Sequence, residues 1–325
     1  MLETTVNFSK REFEAIFAEI THECKLNLSN NNCLKSYILP LDNNKFDYRE
    51  LFLKLKANLG RYALSRNEYE KDKELAITKA IDRLRSVFEN DAGSGGELGE
   101  ILLYLFLEIV LGAPKLLSKT EIKQTKNQYN YNADAVHFYS FIDNKGKHNQ
   151  LLLCESKIQN DKKNAVENAF SSIKNTLENR SYDLSLVSTE LFKEVTNLEE
   201  AEYIKSLIFP NNTEDIKNNV VKETAIGLFI GYSFEHAKDL DSLSLREWTI
   251  HKQKSETKEI CDMINEKIKS YGYSGYSFYV FLLPFNNAQK DRADIIQQLL
   301  LNGAYKHDWR QVFIRRIFIK RYFEK

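Results

Sequence analysis

The run Leu151-Leu152-Leu153-Cys154-Glu155-Ser156-Lys157 is an apolar strand-forming segment that ends in two opposite charges one position apart. Side chains alternate along a strand, so Leu151, Leu153, Glu155, Lys157 and Gln159 share one face, and Leu152, Cys154 and Ser156 share the other. A carboxylate and an ammonium at the mouth of an apolar strand cost desolvation energy unless they pair or bind something, such as a metal ion. Glu155 and Lys157 are therefore the first candidates for chemistry.

Asp134 is the second carboxylate. It opens Asp134-Ala135-Val136-His137-Phe138-Tyr139, whose aromatic and β-branched residues read as a strand. The polar stretch 143–149, with Gly146, is suited to a hairpin turn between the two strands. The hairpin brings Asp134, at the start of one strand, beside Glu155 and Lys157 at the end of the other. Paired carboxylates at a sheet end suit a hard divalent cation, Mg²⁺ or Mn²⁺, with the Cys154 backbone carbonyl as a further oxygen donor. On a phosphodiester, such a cation would polarise the phosphoryl oxygen and acidify a bound water. Lys157 would orient that water or stabilise charge growing on phosphorus. Gln159 lies one step further along the same face, in reach of the water or a phosphate. His137 reads as a structural residue on the face opposite Asp134.

A third carboxylate comes from Gly95-Gly96-Glu97-Leu98-Gly99-Glu100-Ile101-Leu102, which reads as a helix entered through a glycine turn. Glu97, Glu100 and Tyr104 fall on one face, and Leu98, Leu102, Leu105 and Ile109 form a core stripe. Acidic residues in a first turn are favoured by the helix dipole whatever the function. Between the two, Glu100 is favoured because it lies within the regular helix, whereas Glu97 also reads as a capping residue.

The ordered set Glu97/Glu100, Asp134 and Glu155-Ser156-Lys157 resembles the PD-(D/E)XK nuclease superfamily, although Ala133 stands where a proline gives the superfamily its name. More closely, Gly96-Glu97-Leu98-Gly99-Glu100, Asn132-Ala133-Asp134-Ala135-Val136-His137 and Cys154-Glu155-Ser156-Lys157 look like the HamA family, the nuclease subunits of Hachiman anti-phage systems. The resemblance implies a restriction-endonuclease-like α/β core, a mixed sheet flanked by helices, and a metal-dependent DNase acting as a defence effector. It also implies restraint and activation by a partner helicase, HamB. Catalysis would then rest on Glu100 or Glu97, Asp134, Glu155 and Lys157, with Gln159 assisting.

Bulk composition neither supports nor excludes these partners. Lys plus Arg equals Asp plus Glu at 46 each, so nucleic acid would have to be met by local patches rather than a global field. Cys24, Cys33, Cys154 and Cys261 form no CxxC pair, which favours a reducing compartment over a disulfide framework. His22, Cys24 and Cys33 lack a fourth zinc ligand at useful spacing. The longest apolar run, 101–110, is short and interrupted by Glu108, and no signal segment is recognisable, so a soluble cytoplasmic protein with no membrane contact is expected.

Residues 1–92 read as a mostly helical regulatory or partner-docking region, with helices over 9–23 (capped by Ser9), 48–64 and 67–88. Asp91-Ala92-Gly93-Ser94-Gly95-Gly96 marks the approach to a nuclease domain over 93–325, read either as a hinge or as a tight turn at phosphate or metal. Within that domain a helix is expected over 161–179 and strands over 225–233 and 276–285. A helix is expected over 254–269, and an insertion of short helices and loops near 180–222. Lys162, Lys163 and Lys174 are candidates to face DNA. So is the aromatic and basic run 309–323, for which an edge strand or amphipathic helix is the plainer account. Two other readings stand beside the DNase. One is a non-catalytic adaptor that docks a helicase and whose acids only form salt bridges. The other is an RNA-cleaving nuclease of the same fold.

Overall fold

The computed structural model describes residues 2–90, 96–122, 132–195, 197–208 and 223–301. Residues 91–95 of the expected hinge or tight turn, residues 209–222 of the expected insertion and the aromatic and basic run 309–323 lie outside the described residues.

Short N-terminal elements come first: α1 (Lys10–Ile16), β1 (Ala18–Glu19), β2 (Cys33–Ile38), β3 (Leu41–Asp42) and β4 (Lys45–Phe46). Then follow α2 (Arg49–Ala63), α3 (Arg66–Lys71), α4 (Ala76–Asn90) and α5 (Glu97–Phe106), which runs on into a π-helical turn at Leu107–Leu111. The hairpin region comprises β5 (Lys115–Ser118), α6 (Lys119–Ile122), β6 (Ala135–Asp143) and β7 (Gly146–Gln159). The remainder is α7 (Lys162–Glu178), α8 (Arg180–Glu194), α9 (Leu198–Ile208), β8 (Glu223–Ser233), α10 (Ser242–Ser270), β9 (Ser277–Phe285) and α11 (Ala288–Leu301).

Seven strands form one mixed sheet in the order β1-β2-β9-β8-β7-β6-β5. β2, β9, β8 and β7 run parallel, while β1 at one edge and β6 and β5 at the other are antiparallel to their neighbours. Helices cover both faces. Leu152, Cys154 and Ile158 of β7 belong to a core shared with Leu98, Ile101 and Leu105 of α5 and with Leu55 and Leu59 of α2. Leu153, one step away on the opposite face, packs in a second core with Ala165, Ala169 and Ile173 of α7 and with Ile260 and Ile264 of α10. Covering on both sides explains why β8 and β9 read as continuous apolar runs rather than alternating ones.

Several elements differ from their sequence reading. The helix expected over 9–23 does start at Ser9, whose hydroxyl and Glu12 form a capping box, but it ends at Ile16. Phe17 is extended and packs tilted on Phe13 and edge-on to Phe106, and Ala18 and Glu19 pair with Ile38 and Tyr37. Strand pairing and burial of Phe17 thus override the local helical preference. The helix expected over 67–88 breaks at Asp72, between α3 and α4. The first 90 residues carry four helices but also β2, which joins the main sheet beside β9.

Helix α5 was expected to be polar on one side; it is buried on all sides. It lies between the sheet and a layer containing α2, α4 and α11, so it has no solvent face to keep polar. Its carboxylates are consequently inside the protein. No helix among the described residues is long and apolar enough to cross a membrane.

Candidate active site

Strand register assembles the site. Ser118 pairs with Ala135, and Ala135 with Cys154. One step further along, the Lys119 N–H donates to the Asp134 carbonyl (3.0 Å), and the Asp134 N–H donates to the Cys154 carbonyl (2.9 Å). Lys119, just past the end of β5, Asp134, just before β6, and Glu155 of β7 therefore stand in a row.

Asp134 is fixed from two sides. Its Oδ2 accepts from the Ser156 N–H (2.9 Å) and the Ser156 hydroxyl (3.0 Å), and its Oδ1 lies 3.2 Å from Lys119 Nζ. Ser156 points toward α5, where Gly99 permits close contact; a Cβ at that glycine would fall 2.8 Å from Ser156 Oγ. Glu155 points the other way, toward α7. Its Oε1 accepts from the Thr176 hydroxyl (2.9 Å), and its Oε2 pairs with Lys157 Nζ at 3.2 Å. Glu100, on α5, accepts through Oε2 from the Tyr62 hydroxyl (2.8 Å), which in turn is 3.0 Å from Thr120 Oγ1.

These carboxylates sense one another. Burial, and then the negative charge of Asp134, pushes Glu155 up to about 8 and Glu100 up to about 7. Burial acts on Asp134 in the same sense, but the ammonium groups of Lys119 and Lys157 and the two donors from Ser156 outweigh it, and its carboxyl is held below the usual range. Asp134 in turn holds the Lys119 ammonium well above its ordinary value, with help from Glu100 and Glu155. Near neutrality the cluster thus contains one firmly ionised carboxylate and two poised to take or release a proton.

The other expected site residues are placed differently. Glu97 is buried, with Oε2 lacking a hydrogen-bond partner, and it sits near Arg292, whose Nη1 donates to the Ile158 carbonyl (2.9 Å). Gln159 has left the cluster: its Oε1 accepts from Asn168 Nδ2 on α7 at 3.1 Å. The Cys154 carbonyl is engaged by the Asp134 N–H, and its thiol packs in the α5-facing core. Tyr104, expected beside the acids, instead meets the Thr5 hydroxyl at 2.8 Å. His137 is fully buried with Nδ1 2.8 Å from the Ala113 carbonyl, a structural role. Lys162 is occupied by Glu256 and Glu259 of α10, and Lys174 lies 3.8 Å from Glu178.

Sequence reasoning missed Lys119, Thr176 and Tyr62. Each reaches the cluster from a different element, and no local pattern marks them. Only the β5–β6 register places Lys119 opposite Asp134.

Hard oxygen donors from Asp134, Glu155 and Glu100 fit the chemistry of Mg²⁺ or Mn²⁺. Among the described residues no three His, Cys, Asp or Glu side chains converge as a ready ligand set. Each of the three acids is held by a lysine or a hydroxyl instead. Binding an ion there would require these donors to be exchanged.

A protein-family model described as HamA matches residues 14–299. No curated protein and no solved structure matches the chain.

Proposed function

The chain belongs to the HamA family of Hachiman defence components, and from that premise we propose that it is a metal-dependent DNA endonuclease with a PD-(D/E)XK core. The observation that carries the reading is that Asp134, at the start of β6, lies close enough to Glu100 of α5 and to Glu155 of β7 for its charge to raise both, with Lys157 paired to Glu155. Asp134 and Glu155, with Glu100, are the residues that would hold Mg²⁺ or Mn²⁺, which when bound supplies Lewis-acid polarisation of a phosphodiester and a more acidic water.

The chain's own groups account for the rest. Ser156 fixes the direction of Asp134 through two donors to one oxygen. Glu155 and Glu100 can each hold or release a proton near neutral pH. Lys157 is partly exposed and offers an ammonium to the charge that grows on a transferring phosphoryl group. We assign residues 1–92 to partner docking and regulation and 93–325 to the nuclease, with a helicase as the partner that restrains and triggers it in the cytoplasm.

Cleavage of linear and supercoiled DNA is the test, with Mg²⁺ or EDTA and with or without the helicase. The Glu155→Ala/Lys157→Ala variant is the comparison, and single-stranded RNA is a parallel substrate. Metal-dependent DNA cleavage lost in the variant supports the proposal; cleavage confined to RNA would reassign the substrate. A second reading, a helicase-docking adaptor, is favoured by one observation: every acid in the cluster already has a cationic or hydroxyl partner. Folded protein that binds the helicase but cuts nothing in its presence would establish the adaptor.

A further inference from the structure

The geometry points to Lys119 as a built-in cation that occupies the acid cluster in place of the divalent ion, so that the ion binds only when this ammonium leaves Asp134. The inference rests on the metal-dependent reading above and concerns how that site is kept in check.

Three observations place Lys119 in this role. First, its ammonium, 3.2 Å from Asp134 Oδ1, meets the one Asp134 oxygen that Ser156 leaves free. That oxygen is the natural donor to an incoming cation, and a resident ammonium both blocks it and repels a divalent ion. Second, the lysine lies on the solvent side of the acid: its side chain is 26% exposed and that of Asp134 only 7%. An ion arriving from water meets the ammonium before the carboxylate. Third, the backbone of Lys119 is anchored independently of its side chain. The Lys119 N–H is bonded to the Asp134 carbonyl, and the preceding Ser118 is tied by its N–H and hydroxyl to Glu121 Oε2. A four-carbon stem on a fixed backbone can swing out through rotamer changes alone.

Lys157 is likewise more exposed than its acid, 23% against 2%, but it does not occupy the free oxygen of Asp134. It pairs with Glu155 two residues away on its own strand, and it faces the α7 side of the sheet. Lys119 arrives from the β5–α6 junction, outside the β6–β7 hairpin that carries Glu155 and Lys157. Whatever draws Lys119 away, an anionic phosphate backbone being the simplest candidate, would open the site to the ion at the moment substrate is present.

The test is Mn²⁺ binding to the full chain by isothermal titration calorimetry, with no nucleic acid present. Wild type would be compared with Lys119→Met, Lys119→Arg and Asp134→Asn. Lys119→Met is expected to bind Mn²⁺ at least about tenfold more tightly than wild type. Lys119→Arg should bind like wild type, and Asp134→Asn should remove the gain in the Lys119→Met background. Thermal unfolding provides a second readout. Lys119→Met should melt below wild type in EDTA, where Asp134 has lost its countercharge, and recover in saturating Mn²⁺. Lys119→Gln keeps a donor without the charge and substitutes if Lys119→Met does not fold. Binding no tighter in either neutral variant, while Asp134→Asn still weakens it, would overturn the role of Lys119 and leave the metal site standing. No Mn²⁺ binding in any variant would overturn the metal-dependent reading, and this inference with it.

Discussion

Ser156 donates twice to a single oxygen of Asp134, from its N–H at 2.9 Å and from its hydroxyl at 3.0 Å. The strand that carries Glu155 and Lys157 therefore also aims the acid of the neighbouring strand. Ser156→Ala removes one of two hydrogen bonds to an ionised group and should cost about 1.5–3 kcal/mol. Gly99→Ala pushes a methyl against the same hydroxyl and should cost about 1–3 kcal/mol by overpacking. Because both act on one contact, urea denaturation of the double variant should show a loss at least about 0.5 kcal/mol smaller than the sum. Strict additivity would mean that Gly99 does not constrain Ser156.

Glu100 and Glu97 separate in their expected effects on cleavage. Glu100 is electrostatically tied to Asp134 and bonded to Tyr62, whereas Glu97 sits near Arg292 with an unpartnered oxygen. Glu100→Gln should lower the DNA cleavage rate by about 100-fold or more, with Glu97→Gln changing it by less than about tenfold. The opposite ranking in the same assay would transfer the role to Glu97.

His137 should make the fold sensitive to acid. Burial holds its pKa down at about 4, against 6.5 for the free side chain, with Nδ1–H donating to Ala113 and Nε2 buried without a partner. Because the folded value is depressed, the stability this residue contributes is complete above pH 6.5 and is lost as pH falls toward 4. Between pH 7.5 and pH 5 the loss amounts to about 2 kcal/mol. His137→Asn cannot titrate, so the difference in denaturant-derived stability between the two pH values should be smaller than in wild type by that amount. Parallel pH profiles for the two proteins would count against the assignment.

Lys115 is a buried cation that closes the end of α2. Its Nζ donates to the carbonyls of Arg61, Tyr62 and Leu64 and lies 2.9 Å from Glu121 Oε1. Glu121 and Glu194 keep it charged despite a burial that acts in the other direction. Lys115→Ala leaves two acids and three carbonyls in the interior without their cation, and should cost about 3–5 kcal/mol by urea denaturation. A cost under about 1 kcal/mol would show that water enters and replaces the ammonium.

Much of the fold was legible where periodicity and punctuation agree. Helix α7 begins after Asp161, whose side chain accepts from the Asn164 N–H, and Ala165, Ala169 and Ile173, spaced four apart, pack in the core against the sheet. The β6–β7 hairpin follows from a polar glycine turn between two apolar runs. Legibility failed where packing outweighed local preference: α1 stops at Ile16 so that Phe17 and the residues after it can pack and pair. The polar face expected on α5 is absent because helices cover the side away from the sheet.

The sequence by itself determined the hairpin and the adjacency it forces. An alternating strand, a turn and a second strand leave Asp134 nowhere to lie except beside Glu155, since antiparallel pairing maps sequence separation onto a fixed register. Contacts between elements that no such register links directly were decided by tertiary structure alone. Lys119 meets Asp134 only because β5 is the outer neighbour of β6, and Tyr62 reaches Glu100 only because α2 packs on α5. Gln159 turns to Asn168 because the strand ends against α7. Local pattern encodes what a chain segment can do with its neighbours in sequence. Which distant side chain neutralises a buried carboxylate is set by how the layers stack, where the cost of leaving that charge alone selects the partner.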